Sequence, residues 1–378
     1  MNPVHPAALL VLSTALLAAG QCSAQNPPEP DVKKPDAAWE TIAPFFKPPE
    51  KYAGDLGDYR SPMLFADGSR VKSPDDWPRR RREILETWHT LMGPWPDLIE
   101  KPKFEVIETT RRENFTQKKV KLEVVPGKMQ EGYLLVPDGE GPFPAVLVVF
   151  YDAESGAGLK EKGRVDFGYR LTKRGFVTLS IGGPYHRPKD VQPLSGNAYV
   201  AANCANALAN LPEVDAERIG VVGHSYGGKW ALFGSCLCER FACAVWCDPG
   251  IVWNEKDPNA NYWEPWYLGN DPSRPRRKAG IPTADNPRTG AYKAMVETGR
   301  DLHELHALMA PRPFLVSGGA QDRPEHWVAL NHAIAVNRFL GFENRVAMTM
   351  RNGHSPTEES YEQINVFFEH VLKPSTKP

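Results

Sequence analysis

Six consecutive residues past the middle of the chain, Gly223-His224-Ser225-Tyr226-Gly227-Gly228, have the spacing G-x-S-x-G. An apolar strand-type run, Ile219–Val222, leads in, and a helical stretch, Gly228–Cys238, leads out. A serine on such a sharp strand-to-helix turn projects its hydroxyl beyond the sheet edge, and the helix aims its first amides at the same point. That setting suits a nucleophilic hydroxyl and a developing oxyanion. Side chains at Gly223 or Gly227 would collide with neighbouring backbone, which is the reason for glycine there.

A serine nucleophile needs a base, and the base needs an acid that orients it. His354 follows the strand-type run Arg345–Met350 and precedes the helical stretch Tyr361–Leu372. Asp322 follows the run Phe314–Ser317, so Ser225, Asp322 and His354 stand in the order nucleophile, acid, base. Two other carboxylates compete with Asp322: Glu325 nearby, and Asp248 after the run Phe241–Trp246. The oxyanion needs two backbone N–H donors, one expected from Tyr226 and one from the loop after Ala145–Tyr151, at Asp152 or Ala153.

Other motifs fall short of chemistry. His303-Glu304-Leu305-His306 has i, i+3 spacing where a zinc-binding H-E-x-x-H needs i, i+4. His224, His326 and His332 read as packed side chains. Gly223 to Lys229 fits the first seven positions of a P-loop, but Trp230 replaces the hydroxyl that would hold Mg²⁺. No metal or organic cofactor is implied. Of six cysteines, Cys204, Cys236, Cys238, Cys243 and Cys247 lie in the body of the chain without metal-site spacing. They read as small buried residues, with disulfide pairing left open.

The 378 residues carry a formal net charge of −1, which gives no general electrostatic case for nucleic acid or an anionic membrane. Residues 1–24 hold no Lys, Arg, Asp or Glu, and their apolar stretch, Ala7–Gly20, is shorter than the ~20 residues a bilayer span needs. They are expected to be a signal peptide, with export and release rather than membrane insertion. Residues 25–72 read as an extended linker and 73–103 as a helical extension. The helix carries Ile84, Leu85, Trp88 and Leu91 on one side and the basic run Arg79–Arg82 on a solvated, salt-bridged face.

From Phe104 onward the organisation becomes one catalytic domain, 104–378. Short β-type runs (Phe104–Thr109, Val120–Val125, Gly132–Val136) give way to buried strands alternating with helices. Continuous apolar strands in that alternation imply a mostly parallel, doubly wound α/β sheet with helices on both faces. An insertion of about 250–308, counted as following the sixth strand, is rich in Trp and Tyr and reads as a lid or binding loop.

With Gly223–Gly228, Asp322 and His354 in order on alternating strands and helices, the chain resembles the α/β-hydrolase superfamily over about Phe104 to Leu372. Within it, Val214–Gly220 and Met309–Pro313 are similar to exported bacterial carbohydrate esterases of the acetyl xylan esterase and glucuronoyl esterase groups. That resemblance implies a serine esterase acting on a small-molecule or polysaccharide ester. It also implies a sugar contact at Lys229, which matches the elbow lysine of glucuronoyl esterases, although Tyr226 stands where those enzymes carry arginine. Trp253, Trp263 and Trp266 are candidates for stacking on sugar rings. A peptidase or lipase, or a non-catalytic binding protein of this fold, would share the architecture.

Overall fold

The computed structural model describes residues 37–160, 165–183 and 186–373. The expected signal peptide, 1–24, lies outside the described residues. Nine strands form one sheet: β1 Phe104–Arg112, β2 Phe115–Val125, β3 Lys128–Pro137, β4 Phe143–Val149, β5 Val177–Ile181, β6 Val214–His224, β7 Cys243–Cys247, β8 Phe314–Gly318 and β9 Val346–Met350. Their spatial order is β1-β2-β3-β5-β4-β6-β7-β8-β9. The edge pairs β1–β2, β2–β3 and β3–β5 are antiparallel; every pairing from β5 through β4 to β9 is parallel.

The parallel strands are buried on both faces because each alternate residue has its own core. Ala145, Leu147 and Val149 of β4 pack with Ala201, Trp230 and Phe233 from the helices Pro193–Ala209 and Tyr226–Leu237. Val146 and Val148 of the same strand turn to the opposite core, with Phe167, Phe367 and Phe368. The two-residue period of a strand makes this division automatic. All parallel strands end at one rim of the sheet, and the loops leaving that rim carry the site.

The N-terminal part is more ordered than a linker. Residues Ala37–Ile42 form a short helix; Ile42 and Phe46 are buried against Phe367 and its neighbours in the C-terminal helix Glu358–Leu372. Apolar side chains at 39, 42, 45 and 46 outweigh the local polarity there. The helix Trp77–Met92 begins after a turn in which Ser73 and Asp76 cap each other's backbone, and it buries Ile84, Trp88 and Met92. Its basic run splits: Arg79 and Arg82 are exposed, whereas Arg80 and Arg81 turn inward to Glu83 and Glu239.

The insertion follows β7, the seventh strand rather than the sixth. Its first part, from Ile251 to Leu268, packs largely inward, whereas most residues of 272–287 are exposed. Trp263 donates from Nε1 to the Gly280 carbonyl at 2.8 Å, and a buried Arg277–Glu264 pair at 3.5 Å ties its interior together. The five body cysteines are buried free thiols. Among the described residues no helix is long and apolar enough to cross a membrane.

Candidate active site

Ser225 occupies the turn between β6 and the helix Tyr226–Leu237, with φ 57° and ψ −118°. A non-glycine residue at positive φ carries strain, of order 1–3 kcal/mol, that surrounding packing must hold in place. Here the holding is visible. A Cβ at Gly223 would run into the Gly227 carbonyl, and one at Gly227 into the Val149 carbonyl, so the turn closes only with glycine at both positions. The Ser225 N–H donates to the Cys247 carbonyl of β7 at 2.9 Å, fixing the turn to the neighbouring strand.

His354 reaches Ser225 from the loop after β9. Ser225 Oγ lies 2.9 Å from His354 Nε2, and His354 Nδ1 lies 2.7 Å from Asp248 Oδ2. A carboxylate only accepts, so the proton belongs on Nδ1; Nε2 is then free to accept from the serine hydroxyl. Asp248 is fully buried at the end of β7, with φ 50°. Its other oxygen, Oδ1, accepts the N–H of Gln321 at 3.0 Å and of Asp322 at 2.8 Å. The carboxylate is thereby held by three donors, one of them the imidazole.

The expected acid, Asp322, does not meet His354. Its carboxylate accepts the N–H of Gly250 at 2.9 Å and of Ile251 at 2.7 Å, and faces His326 Nδ1 at 3.2 Å. The two aspartates therefore clasp each other's loops: Asp248 holds backbone beside Asp322, and Asp322 holds backbone just after Asp248. Both sit at strand ends where an acid can serve. The strand adjacent to the nucleophile's, β7, brings the nearer carboxylate to the imidazole. Glu325 lies in a short turn, Pro324–His326, and is not among the partners of His354.

On the oxyanion side, the strand expected to run to Tyr151 ends at Val149, leaving Phe150 and Tyr151 beyond the sheet rim. Asp152 begins the turn Ala153–Gly156, where its carboxylate accepts the Ser155 N–H and pairs with Lys160 at 2.9 Å. One residue earlier, Tyr151 lines the same cavity as Ser225, with its ring stacked on that of Tyr226. Desolvation raises the Tyr151 pKa, so it stays a phenol and a donor at neutral pH. Sequence reasoning looked only for backbone donors in this loop. The available signal was a hydroxylated aromatic two residues beyond a wholly apolar strand.

Tyr226 follows the nucleophile, and its phenol oxygen accepts from Asn197 Nδ2 at 2.7 Å and Arg187 Nη2 at 3.2 Å. Its ring stacks on Tyr151 and tilts against Tyr267. His224 is buried, with its ring centre 4.5 Å from that of His354 and Nδ1 3.2 Å from the Cys247 carbonyl. Burial first, then the neighbouring His354, pushes its pKa down to about 3, so it is a neutral wall of the site.

A cavity of about 300 Å³ opens at Ser225 and His354, lined also by Tyr151, Lys229, Asn261, Tyr267 and Gln321. Lys229, one helical turn beyond the nucleophile, is only 3% exposed and lies over the rings of Tyr262 and Tyr267. Burial lowers its pKa to about 8, against the opposing charges of Asp322, Asp248 and Asp257. The expected stacking tryptophans are not in this cavity. Trp253 and Trp263 spend their indole N–H groups on the Arg300 and Gly280 carbonyls and pack the insertion with Tyr262 and Tyr292. Trp266 is half-exposed, with Arg276 over its ring. The aromatic that does line the cavity from the insertion is Tyr267.

Comparison with known proteins finds similarity to esterases and other hydrolases. The model of the FrsA-like esterase family matches residues 104–253, and that of the prolyl oligopeptidase family matches 201–373. The chain is 30% identical over 130 residues to a 2,6-dihydropseudooxynicotine hydrolase of Paenarthrobacter nicotinovorans, covering 32% of this chain and 33% of that protein. It is 29% identical over 150 residues to esterase EstD of Thermotoga maritima, covering 37% and 33%. The matched part thus spans about a third of the length of these curated relatives. Among solved structures, a glucuronoyl esterase from Solibacter usitatus superposes with a TM-score of 0.66 at 17% identity, over 86% of this chain and 100% of that one. A putative acetyl xylan esterase from Bacteroides fragilis gives 0.55 at 15% identity, over 78% and 80%. At those identities the likeness is one of fold, and the fold is that of the α/β-hydrolases.

Proposed function

We propose that this α/β-hydrolase is an exported serine esterase that cleaves carboxylic esters of carbohydrates, acetyl esters of the xylan type foremost. The observation that carries the reading is the line Ser225 Oγ–His354 Nε2, His354 Nδ1–Asp248 Oδ2, with distances of 2.9 and 2.7 Å, at the floor of an open cavity. His354 takes the Ser225 proton as the hydroxyl attacks the ester carbonyl. The oxyanion that forms is met by the Tyr226 N–H, at the positive end of the helix Tyr226–Leu237, and by the hydroxyl of Tyr151 on the cavity wall. His354 then passes its proton to the departing alcohol. Water, deprotonated by the same imidazole, attacks the acyl-enzyme and releases the acid, while Asp248 holds the imidazolium throughout.

The carbohydrate assignment rests on polar lining. Asn259, Asn261, Gln321 and Lys229 offer donors and acceptors to an alcohol rich in hydroxyl groups, where a lipase cavity would be apolar. A glucuronate ester is the second reading, favoured by Lys229 at the cavity wall. The charge-free N-terminal segment supports export. The test is hydrolysis of acetylated xylan, a methyl glucuronate ester and p-nitrophenyl acetate by the protein and its Ser225→Ala variant. Acetate release abolished in the variant supports the reading, and preference for the glucuronate ester selects the second. A folded protein inert on all three would make it a non-catalytic binder.

A further inference from the structure

Arg351 stands at the start of the loop that carries His354, three residues before it, and its side chain is only 5% exposed. Its guanidinium joins two loops. Nη1 donates to the Ser317 carbonyl at 2.8 Å, to Ser317 Oγ at 3.0 Å and to the Gly318 carbonyl at 3.1 Å, all at the end of β8. On the other side, Nε donates to the Ser355 carbonyl at 3.0 Å and Nη2 to the His354 carbonyl. The same nitrogen, Nη2, lies 3.9 Å from Asp248 Oδ2, the oxygen that accepts from His354.

We infer that Arg351 is a positioning residue for the reaction, fastening the base-bearing loop to the sheet and setting the charge around the Asp248 carboxylate. The inference rests on the Ser225–His354–Asp248 reading above. Packing alone does not hold the base: the His354 side chain is 39% exposed and Asn352 and Gly353 beside it are exposed. The ladder bonds of β9 end at Met350, and beyond it the loop's backbone is tied by the Arg351 N–H to the Gly318 carbonyl and by the Ala320 N–H to the Gly353 carbonyl, both at 3.2 Å. The planar fork of Arg351 supplies the remaining carbonyl partners, in directions a single ammonium cannot cover.

Its charge has a separable effect. The groups facing Asp248 are the Arg351 guanidinium, the His354 ring, the amides of Gln321 and Asp322 and, across the cavity, the Lys229 ammonium, which both variants leave in place; His224 faces the far side of His354. A guanidinium beside Asp248 competes with a protonated His354 for the same carboxylate. Removing it favours protonation of the imidazole, and the acid limb of the rate profile then moves to higher pH.

Arg351→Met and Arg351→Lys separate the two effects, measured as kcat, KM and the pH dependence of kcat/KM on p-nitrophenyl acetate. A misplaced base costs on the order of 10- to 100-fold in kcat. Both variants are expected to lose that much with KM within about twofold. The acid limb should move to higher pH in Arg351→Met alone, because lysine keeps the charge. If Arg351→Met does not fold, Arg351→Lys with a kcat loss and an unmoved limb carries the result. Wild-type kcat in both folded variants, or a loss confined to thermal stability, overturns the inference while leaving the serine esterase reading intact. A folded wild type that is inert to esters and to fluorophosphonate overturns that reading and the inference with it.

Discussion

Replacing Asp248 by Asn removes one charge and almost no volume, and the structure fixes what must follow. Oδ1 of Asp248 accepts two backbone N–H groups, from Gln321 and Asp322. An asparagine keeps both bonds only with its carbonyl oxygen at that place, which turns its NH₂ toward His354 Nδ1. The NH₂ can only donate, so Nδ1 must become the acceptor and the proton moves to Nε2. Nε2–H then faces the Ser225 hydroxyl and cannot accept its proton. A triad with the wrong tautomer loses kcat by about 10⁴, or about 5 kcal/mol of transition-state stabilisation. Asp322→Asn is the control: it touches no atom of His354, so kcat should stay within about tenfold. It should instead weaken folding by about 1–3 kcal/mol, through disturbed bonds to Gly250, Ile251 and His326. Steady-state kinetics and urea unfolding of both variants decide the matter. Near-normal turnover in Asp248→Asn with collapse in Asp322→Asn would refute the assignment of the acid.

Three further expectations follow from the same geometry. Tyr151→Phe removes one oxyanion donor and should lower kcat about 10²- to 10³-fold with little change in KM, read by steady-state kinetics. Lys229 has a folded pKa of about 8 against 10.5 unfolded, so the unfolded chain binds more protons between those values and stability rises with pH across that window. Lys229→Met should therefore unfold at higher urea than the wild type at pH 7, by about 1–3 kcal/mol, with the gap closing toward pH 10.5; it should also weaken binding of a carbohydrate ester. Cys204, Cys236, Cys238, Cys243 and Cys247 should resist a thiol reagent in the native protein and react on unfolding, checked by peptide mapping.

The Ser225 turn and the placement of His354 beside it were legible because their signals are local. Gly223 and Gly227 are demanded by backbone contacts within a few residues or one strand away, and His354 follows the last strand directly. Which carboxylate meets His354 was not, since Asp248 and Asp322 follow adjacent strands and only the three-dimensional meeting of loops tells them apart. Asp248 adopts a positive φ, and at Gly319 a Cβ would crowd its carboxylate, neither of which is written in the strand pattern. The aromatic insertion was visible as an insertion, but periodicity carries no information on which ring faces a ligand. Trp253 and Trp263 satisfy buried N–H groups within it, and the cavity received Tyr267 instead. The short helix Ala37–Ile42 was hidden by the prolines around it, because its stabilisation comes from the C-terminal helix some 320 residues later.

The central claim is that the Ser225 hydroxyl becomes covalently bound during turnover. Fluorophosphonate treatment of the wild type, followed by intact mass and peptide mapping, tests it most directly. The account predicts a single adduct on Ser225 with loss of ester hydrolysis in step with labelling, no adduct in Ser225→Ala, and labelling slowed about as much as kcat in Asp248→Asn. An adduct on another residue, or full ester turnover in Ser225→Ala, would contradict it.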